Sequence, residues 1–429
     1  SRWLRTGKQS PMIRRLRPPL RALMMLKNTL SLRQCHLVVA ILSDVLSQGL
    51  PLDRAYARAF SEERLASSEL AAITVVTGDL LRRLNLYAAL AGIPLDSAAT
   101  AAWSLLCVWH KFYNLPLPES PAARLFNNRE YEANKAIARE QEALWDGCPE
   151  WLEALGSAQL GERWPQERRA LSAAPKRFLR TNTLKCDETA LSQRLSQEGV
   201  QTRAVAGVPG ALEVLNDVSL FRTNAFQEGW FEQQDAGSQQ IARFLQVEPG
   251  MRVIDACAGA GGKTLHLAAL MQGKGRLLAL DVEEWKLENL KQRARRAGAH
   301  NIETRLISSS KTIKRLRESA DRVLLDVPCS GLGVLKRNPD AKWKDTAERL
   351  PVLTALQADI LQRYSRMVKP GGELVYSTCS ILPCENQEQI AALLAQPDND
   401  FTLVAEQTLS PAQDGFDGFY MARLRRQPA

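Results

Sequence analysis

Histidine and paired cysteines are scarce in this chain of 429 residues. It has four histidines, and none of its eight cysteines forms a Cys-x-x-Cys pair, so neither a zinc site nor another metal centre is expected. Cysteines scattered along a long chain are typical of free thiols in a reducing compartment and not of a disulfide framework. The sequence therefore predicts a cytoplasmic protein that binds no metal.

Long apolar runs are also absent: none approaches the ~18 residues that a transmembrane helix needs, so no membrane partner is expected. Acidic residues are missing from positions 1–43, whose nine Lys and Arg residues account for the whole net charge of +9. Residues 44–429 are then formally neutral, so the overall charge is weak evidence for a nucleic-acid partner. A local basic face would have to bind any RNA.

The basic leader, residues 1–27, has no long apolar core, so a secretory signal is not expected. Three interpretations stay open for it: a transit peptide, a disordered RNA-binding arm, or sequence that precedes a true start near Met24 or Met25. The length of the chain favours two or three domains behind this leader. Apolar residues at helical spacing predict an all-α N-terminal domain over residues 28–145.

The rest of the chain reads as α/β structure. Residues 146–229 are expected to form a small α/β domain, in which KRFLRTNTLK (176–185) and ALEVLN (211–216) have strand patterns. From residue 230 to 429, segments with strand and helix patterns alternate regularly. Such alternation predicts a doubly wound, mostly parallel, Rossmann-like sheet at the C-terminus.

A glycine-rich segment, DACAGAGGKT at residues 255–264, joins the first predicted strand of that sheet to its first helix. Glycines let a backbone approach a ligand closely, and a helix N-terminus favours anionic groups. The Walker A pattern fails at Cys257 and the dinucleotide pattern fails at Thr264. Asp281 ends the second strand, where an acid can accept hydrogen bonds from a ribose diol. An adenosine-containing ligand such as S-adenosylmethionine fits best, and a glycine turn without a ligand is the alternative.

Two further segments, LLDVPCSG (324–331) and LVYSTCS (374–380), each place a cysteine just beyond a buried strand. As the fourth and fifth strands of the sheet, they would bring Asp326, Cys329 and Cys379 to its carboxyl edge, where ligands bind. A single buried cysteine is usually an inert small hydrophobe. Two thiols and an acid beside a nucleotide loop suit carbon methylation of a pyrimidine, because a thiolate that adds to C6 of cytosine makes C5 nucleophilic.

These motifs carry a resemblance to a known family. The matching segments are LRTNTLK, WFEQQDAGSQ, DACAGAGGKT, DVPCSGLGVLKRNPDAKW, LVYSTCSILPCENQEQI and DGFDGFYMARL. In them the chain resembles the RNA (cytosine-5)-methyltransferases, specifically the bacterial ribosomal-RNA branch with an antitermination-factor-like helical domain. The resemblance implies a monomeric enzyme that uses S-adenosylmethionine to form 5-methylcytosine in 16S ribosomal RNA, with an RNA-binding type of helical domain.

The resemblance also implies roles for individual residues. Cys379 matches the family's nucleophile, Cys329 its release thiol, and Asp326 the acid that orients the cytosine and borders the cofactor. Lys263 matches a loop lysine near the reacting centre; a plain helix-start lysine is the alternative. The implied cofactor contacts are Cys257, Ala258, Gly259, Ala260, Gly261, Gly262, Lys263, Asp281, Ser309 and Asp326.

The chain departs from the family pattern at two places near the cofactor. Gly259 and Ala260 stand where the family has Ala-Pro, and Ser308–Ser310 stand where it has an acid on the adenine side. An RNA-binding ribosome-assembly factor with little or no turnover is therefore a second hypothesis, and a P-loop hydrolase is a third, disfavoured by Cys257.

Expectations for three further segments follow from the sequence. KRNPDAKW (336–343) resembles a segment that lines the RNA side, and its basic residues are expected to meet phosphates. Glu385 is expected to cap the helix that follows it, and Cys384 to have no catalytic role. Trp343 and Tyr376 are expected to pack in the interior and not to stack on bases.

Overall fold

The computed structural model describes residues 29–61 and 63–429, so the leader and the interpretations of it lie outside the described residues. The described chain divides into two compact units. The first contains residues 29–154 apart from residue 62, together with Ser172–Pro175 and Leu335–Lys344. The second contains Leu155–Leu171, Lys176–Val334 and Asp345–Ala429.

The first unit is helical, as the apolar spacing predicts. Its helices are α1 Leu32–Leu46, α2 Leu52–Phe60, α3 Ser67–Arg82, α4 Leu84–Ala91, α5 Ala102–Phe112, α6 Pro121–Leu125, α7 Asn128–Arg139 and α8 Glu142–Trp145; α9, Glu150–Leu160, begins in this unit. Helix α1 starts at a capping box, in which Ser31 accepts from the Gln34 amide and the Gln34 side chain accepts from the Ser31 amide. Leucine, valine and aromatic side chains from these helices form one buried core.

The segment 335–344 belongs to the helical unit, although it lies far along the chain. The Lys342 ammonium donates to the carbonyl oxygens of Arg82 at 2.7 Å and Gly147 at 3.3 Å, and burial lowers its pKa to about 8. The Trp343 indole donates to the Leu81 carbonyl at 2.7 Å, which confirms that this side chain packs in the interior. The expectation that the basic residues of KRNPDAKW meet phosphates is wrong for Lys342, because its side chain is enclosed within the unit.

After the end of α9, the second unit continues with helix α10, Trp164–Leu171, and a small antiparallel sheet. Its strands are β1 Arg177–Thr181, β2 Thr202–Ala204, β3 Ala211–Val214 and β4 Phe231–Gln233, in the order β2-β3-β1-β4. Helices α11 Glu188–Gln197 and α12 Asn224–Gln227 accompany it. Leu191 and Leu195 of α11 are fully buried in a small core that Leu179 of β1 shares.

The large sheet of this unit has seven strands, in the order β10-β11-β9-β8-β5-β6-β7. They are β5 Arg252–Asp255, β6 Arg276–Asp281, β7 Ile302–Leu306, β8 Ala320–Asp326, β9 Val368–Thr378, β10 Phe401–Leu409 and β11 Phe419–Arg426. Strands β5 to β9 pair in parallel, and β10 and β11 add an antiparallel edge that the sequence patterns did not predict. The predicted doubly wound, mostly parallel sheet is confirmed.

Helices cover both faces of this sheet. They are α13 Gln239–Phe244, α14 Gly262–Leu270, α15 Glu284–Ala297, α16 Ser310–Lys314, α17 Thr346–Tyr364, α18 Gln387–Leu394 and α19 Pro411–Asp414. Successive side chains of a strand point to opposite faces, so Leu324 of β8 joins the core under α13 to α15 while Val323 and Leu325 join the core under α16 to α18. Burial on both faces explains why β8 reads as a continuous apolar run.

β6 and β7 lie on one side of β5, and β8 and β9 lie on the other, so the strand order reverses between β5 and β8. The carboxyl ends of these two parallel strands therefore border a crevice at a topological switch point. Within residues 29–61 and 63–429, no helix is long and apolar enough to cross a membrane. Over the same ranges, no group of three or more His, Cys, Asp and Glu side chains could hold a metal ion.

Candidate active site

The two predicted cysteines lie together at the carboxyl edge of the large sheet. Strands β8 and β9 pair so that Asp326 lies opposite Ser377, and Cys379 follows directly after β9. The loop after β8 returns Cys329 to the same place, and the two sulfur atoms are 3.3 Å apart. Both residues are partly exposed, so a ligand can reach them.

The surroundings of the Cys329 thiol raise its pKa. The hydrogen bond to Cys379 is the main reason why the pKa of Cys329 lies well above its ordinary value, and burial adds to it. Cys329 therefore keeps its proton at neutral pH, and either sulfur can be the donor of the hydrogen bond between the two thiols.

An ion pair borders the thiols. Lys263 lies at the start of α14, and its ammonium is 2.8 Å from a carboxylate oxygen of Asp326. The other Asp326 oxygen accepts from the Ser377 hydroxyl at 2.9 Å, which fixes the carboxylate. Burial acts to lower the pKa of Lys263, but the neighbouring Asp326 carboxylate outweighs it, and the pKa is raised overall. A positive charge is thus held beside the sulfur atoms.

The glycine loop between β5 and α14 has the backbone that its sequence requires. Gly261 has a φ of +98°, and a Cβ at this residue would come within 2.0 Å of a Leu290 methyl group. Gly259 has a φ of +57° and open space around it, and no atom would meet a Cβ at Gly262 within 4 Å. Only glycine combines such a conformation with close packing against α15, and the open side leaves room for a ligand against the backbone.

The loop departs from the family pattern at Gly259 and Ala260, and residues outside the loop hold its backbone in place. The guanidinium of Arg293, on α15, donates to the Ala260 carbonyl at 2.9 Å and to Glu232 of β4 at 3.1 Å. Glu232 is buried, and Arg296 donates to it as well. This network therefore ties the loop to the small sheet. Burial raises the pKa of the Cys257 thiol well above its ordinary value, so Cys257 is an un-ionised member of the loop.

Asp281 closes β6 beside the glycine loop. One of its carboxylate oxygens accepts from the Gly259 amide at 2.9 Å and the other from the Glu283 amide at 2.9 Å. Each oxygen keeps a further lone pair, which suits the donors of a ribose diol. Val282 and Trp285, next along the chain, are 65% and 51% exposed and add apolar surface near it. The residues of this edge therefore fit an adenosine-containing ligand.

Ser309 lies in the turn after β7, where it caps α16 and accepts from the Lys311 amide at 3.3 Å. Its hydroxyl is thus engaged in local structure. The structure places it after the third parallel strand, as the sequence predicts, and its contact with the cofactor stays a prediction.

Asp255 was absent from the residues that the sequence singled out. It ends β5, is 1% exposed, and accepts from the Thr264 hydroxyl at 2.7 Å. Burial raises its pKa to about 7. The signal that could have identified it is its place at a strand end, the same signal that identified Asp281 and Asp326.

Glu385 does not cap the following helix, contrary to the expectation. The N-cap of α18 is Asn386, which makes no side-chain capping hydrogen bond, and the Glu385 side chain is turned inward. The Tyr376 hydroxyl donates to the Glu385 carbonyl at 2.6 Å, and Tyr376 is fully buried, which confirms its predicted packing role. The sequence did not single out Ser377 and gave Glu385 the wrong role, because the importance of both residues depends on contacts across the sheet edge.

Fold and site together define the class: a Rossmann-like methyltransferase domain with two thiols at its catalytic edge. Family models extend this result. Residues 242–425 match the model described as 16S rRNA methyltransferase RsmB/F, and residues 148–220 match the ferredoxin-like domain of RsmF/B-like methyltransferases.

Relatives and solved structures agree with these matches. The ribosomal RNA small subunit methyltransferase B of Pasteurella multocida is 36% identical over 68% of this chain and 70% of its own. A methyltransferase homolog protein from Pyrococcus horikoshii is 29% identical over 68% of this chain and 99% of its own, with a TM-score of 0.59. NSun6 from Pyrococcus horikoshii, solved with SFG, shares the fold at 20% identity over 66% of this chain and 99% of its own, with a TM-score of 0.60. The chain belongs to the RsmB/F family of bacterial ribosomal RNA methyltransferases.

Proposed function

We propose that this protein transfers a methyl group from S-adenosylmethionine to C5 of a cytosine in 16S ribosomal RNA, through a covalent bond between Cys379 and C6. The observation that carries the proposal is the pair of sulfur atoms 3.3 Å apart, next to the Lys263–Asp326 ion pair and at the same sheet edge as the glycine loop. The family and the name of the Pasteurella multocida relative support a ribosomal RNA substrate.

The glycine loop and Asp281 would hold the cofactor, which supplies an electrophilic methyl group. The target cytosine must be unstacked for a thiol to reach C6, so a loop or a flipped base is the expected substrate. Asp326 would hold N3 and the exocyclic amine of the ring. Lys263 keeps positive charge beside the ring while the adduct forms.

Cys379 acts first. Its thiolate bonds to C6, the C5–C6 double bond opens, and C5 uses that electron pair to take the methyl group, whose former bonding pair would stay on the sulfur of the cofactor. The C5 proton must then leave so that the double bond re-forms and the Cys379 thiolate departs. Cys329 would take this proton, as a thiolate that becomes a thiol.

The change in Cys329 between these steps has a physical cause. Its pKa is raised by the hydrogen bond to Cys379, by burial and by the charge of that neighbour. Once Cys379 is bonded to carbon, the neighbouring charge is gone and the hydrogen bond is weakened. Cys329 then loses its proton to solvent more easily and becomes the base that the last step requires.

The test is to incubate the protein with labelled S-adenosylmethionine and unmethylated 16S ribosomal RNA, and to map the product by bisulfite sequencing. Cys329→Ala should accumulate a covalent protein–RNA adduct on denaturing gels, whereas Cys379→Ala should give neither adduct nor product. An adduct in Cys379→Ala would reverse the two roles. RNA binding without methyl transfer would favour the assembly-factor hypothesis instead.

A further inference from the structure

Glu385 is a buried acid between the two cysteine loops. Its side chain is 0% exposed, and it lies in the short turn Pro383–Glu385 before α18. Among the described residues, no Lys, Arg or His forms an ion pair with it. A buried carboxylate without a counter-ion is costly, so its hydrogen bonds have to compensate for the lost water.

Those hydrogen bonds come from both loops. Ser330, next to Cys329, donates to Glu385 through its amide at 2.7 Å and through its hydroxyl at 2.6 Å. Ser380, next to Cys379, donates its hydroxyl to the same carboxylate. One side chain therefore joins the residue after the first thiol to the residue after the second.

A third donor anchors this link to a helix. The Gln357 amide group, on α17, donates to Glu385 at 3.1 Å and to the Pro328 carbonyl at 2.9 Å. Pro328 precedes Cys329, so the Cys329 loop is held on both sides of the thiol. Cys379 has independent support, because it directly follows strand β9 of the sheet. The position of Cys329 consequently depends on Glu385 more than that of Cys379 does.

We propose that Glu385 is a positioning residue that sets the place of Cys329 against Cys379, and so controls release of the methylated base more than formation of the adduct. This inference rests on the proposed function for its kinetic part. Its geometric part, the close pair of thiols, stands without any turnover.

The geometric part is tested with phenylarsine oxide, which condenses with two adjacent thiols to form two As–S bonds and one water, without oxidation. Wild-type protein should bind the probe through Cys329 and Cys379, above the background of Cys379→Ala. Glu385→Gln has the same shape but turns an amide towards serine donors, so it should bind the probe about tenfold more weakly. Glu388→Gln, an exposed neighbour, is the control and should match the wild type.

The kinetic part uses the same variants with RNA and cofactor. Glu385→Gln should lower kcat and KM together, because slow release of the base makes the covalent adduct accumulate, as it does in Cys329→Ala. Thermal melting verifies that it folds; if it does not, Ser330→Ala, which removes one donor, takes its place in both assays.

The probe-binding assay and the kinetic assay together distinguish a failure of the positioning role of Glu385 from a failure of the proposed methyltransferase function. Loss of probe binding in Glu385→Gln supports the positioning role even if no RNA is methylated. Probe binding equal to the wild type overturns it, as does wild-type binding no stronger than that of Cys379→Ala. Normal turnover without adduct in Glu385→Gln would overturn the kinetic part alone.

Discussion

Two pairs of cysteines in this protein show how position decides the chemistry of a residue. Cys35 and Cys107 lie in the helical unit, at 0% and 1% exposure. Burial, together with the nearby Cys107, raises the pKa of Cys35 to about 12. These thiols are small apolar side chains of a core. Cys329 and Cys379 border an equally apolar core, yet they lie beyond the ends of two strands, with a cation nearby and a route to solvent.

The difference teaches that the sheet edge, and not the residue type, leaves the second pair open to a ligand. In a helix bundle the side chains around a thiol are covered by the next helix. At the carboxyl edge of a parallel sheet the strands stop, and the loops leave a crevice that a ligand can enter. The following predictions test this contrast, beginning with the largest expected effect.

Replacing one cysteine from each pair should separate the two roles. Cys379→Ala should reduce methyl transfer by about 10⁴-fold or more, because the covalent route is lost, with stability little changed. Cys35→Ala, the matched control, should retain activity and lose about 1 kcal/mol of unfolding free energy through lost core packing. Single-turnover transfer of labelled methyl and urea denaturation measure the two. The contrast fails if Cys35→Ala loses activity while its fold stays intact.

Asp326 tests whether the charge at the sheet edge matters. Asp326→Asn removes the ion pair with Lys263, so methyl transfer should fall by roughly 10² to 10³-fold at saturating cofactor. Asp321→Asn is the control, because Asp321 lies at the opposite end of β8 and pairs with Lys369. It should leave the rate unchanged. Equal losses in both variants would mean that strand stability, and not local charge, is responsible.

Protonation of the buried His110 is expected to make the helical unit sensitive to acid. Its Nδ1 donates to the Leu106 carbonyl at 2.6 Å and its Nε2 accepts from the Leu30 amide at 3.3 Å; burial lowers its pKa to about 4. The unfolded chain binds this proton near pH 6.5 and the folded protein only near pH 4. Neutral His110 should therefore contribute roughly 3 kcal/mol to the free energy of unfolding. This contribution is fully present above pH 6.5 and should be lost as the pH falls towards 4.

Urea denaturation between pH 4 and pH 7 measures this loss. His110→Gln should show a weaker dependence on pH across the window, although it is less stable at neutral pH. His36→Gln, at an exposed position in α1, should keep the wild-type dependence. An unchanged slope in His110→Gln would show that other groups control the acid response.

The sequence determined much of the catalytic edge. A parallel strand buried on both faces reads as an apolar run, so the ends of β8 and β9 were visible, and with them Asp326, Cys329 and Cys379. The glycine loop and Asp281 were visible for the same reason. These features depend on local pattern and on the rule that parallel strands end at one edge.

Only the tertiary structure decided the rest. Lys342 reads as an exposed basic residue, but it is enclosed by the carbonyl groups of Arg82 and Gly147, which lie 260 and 195 positions earlier in the chain. Glu385 reads as a helix cap but accepts hydrogen bonds from Ser330 and Ser380. The physical reason is shared: a buried polar group is placed by whichever donors or acceptors replace its water, and those partners come from residues that no local pattern connects to it.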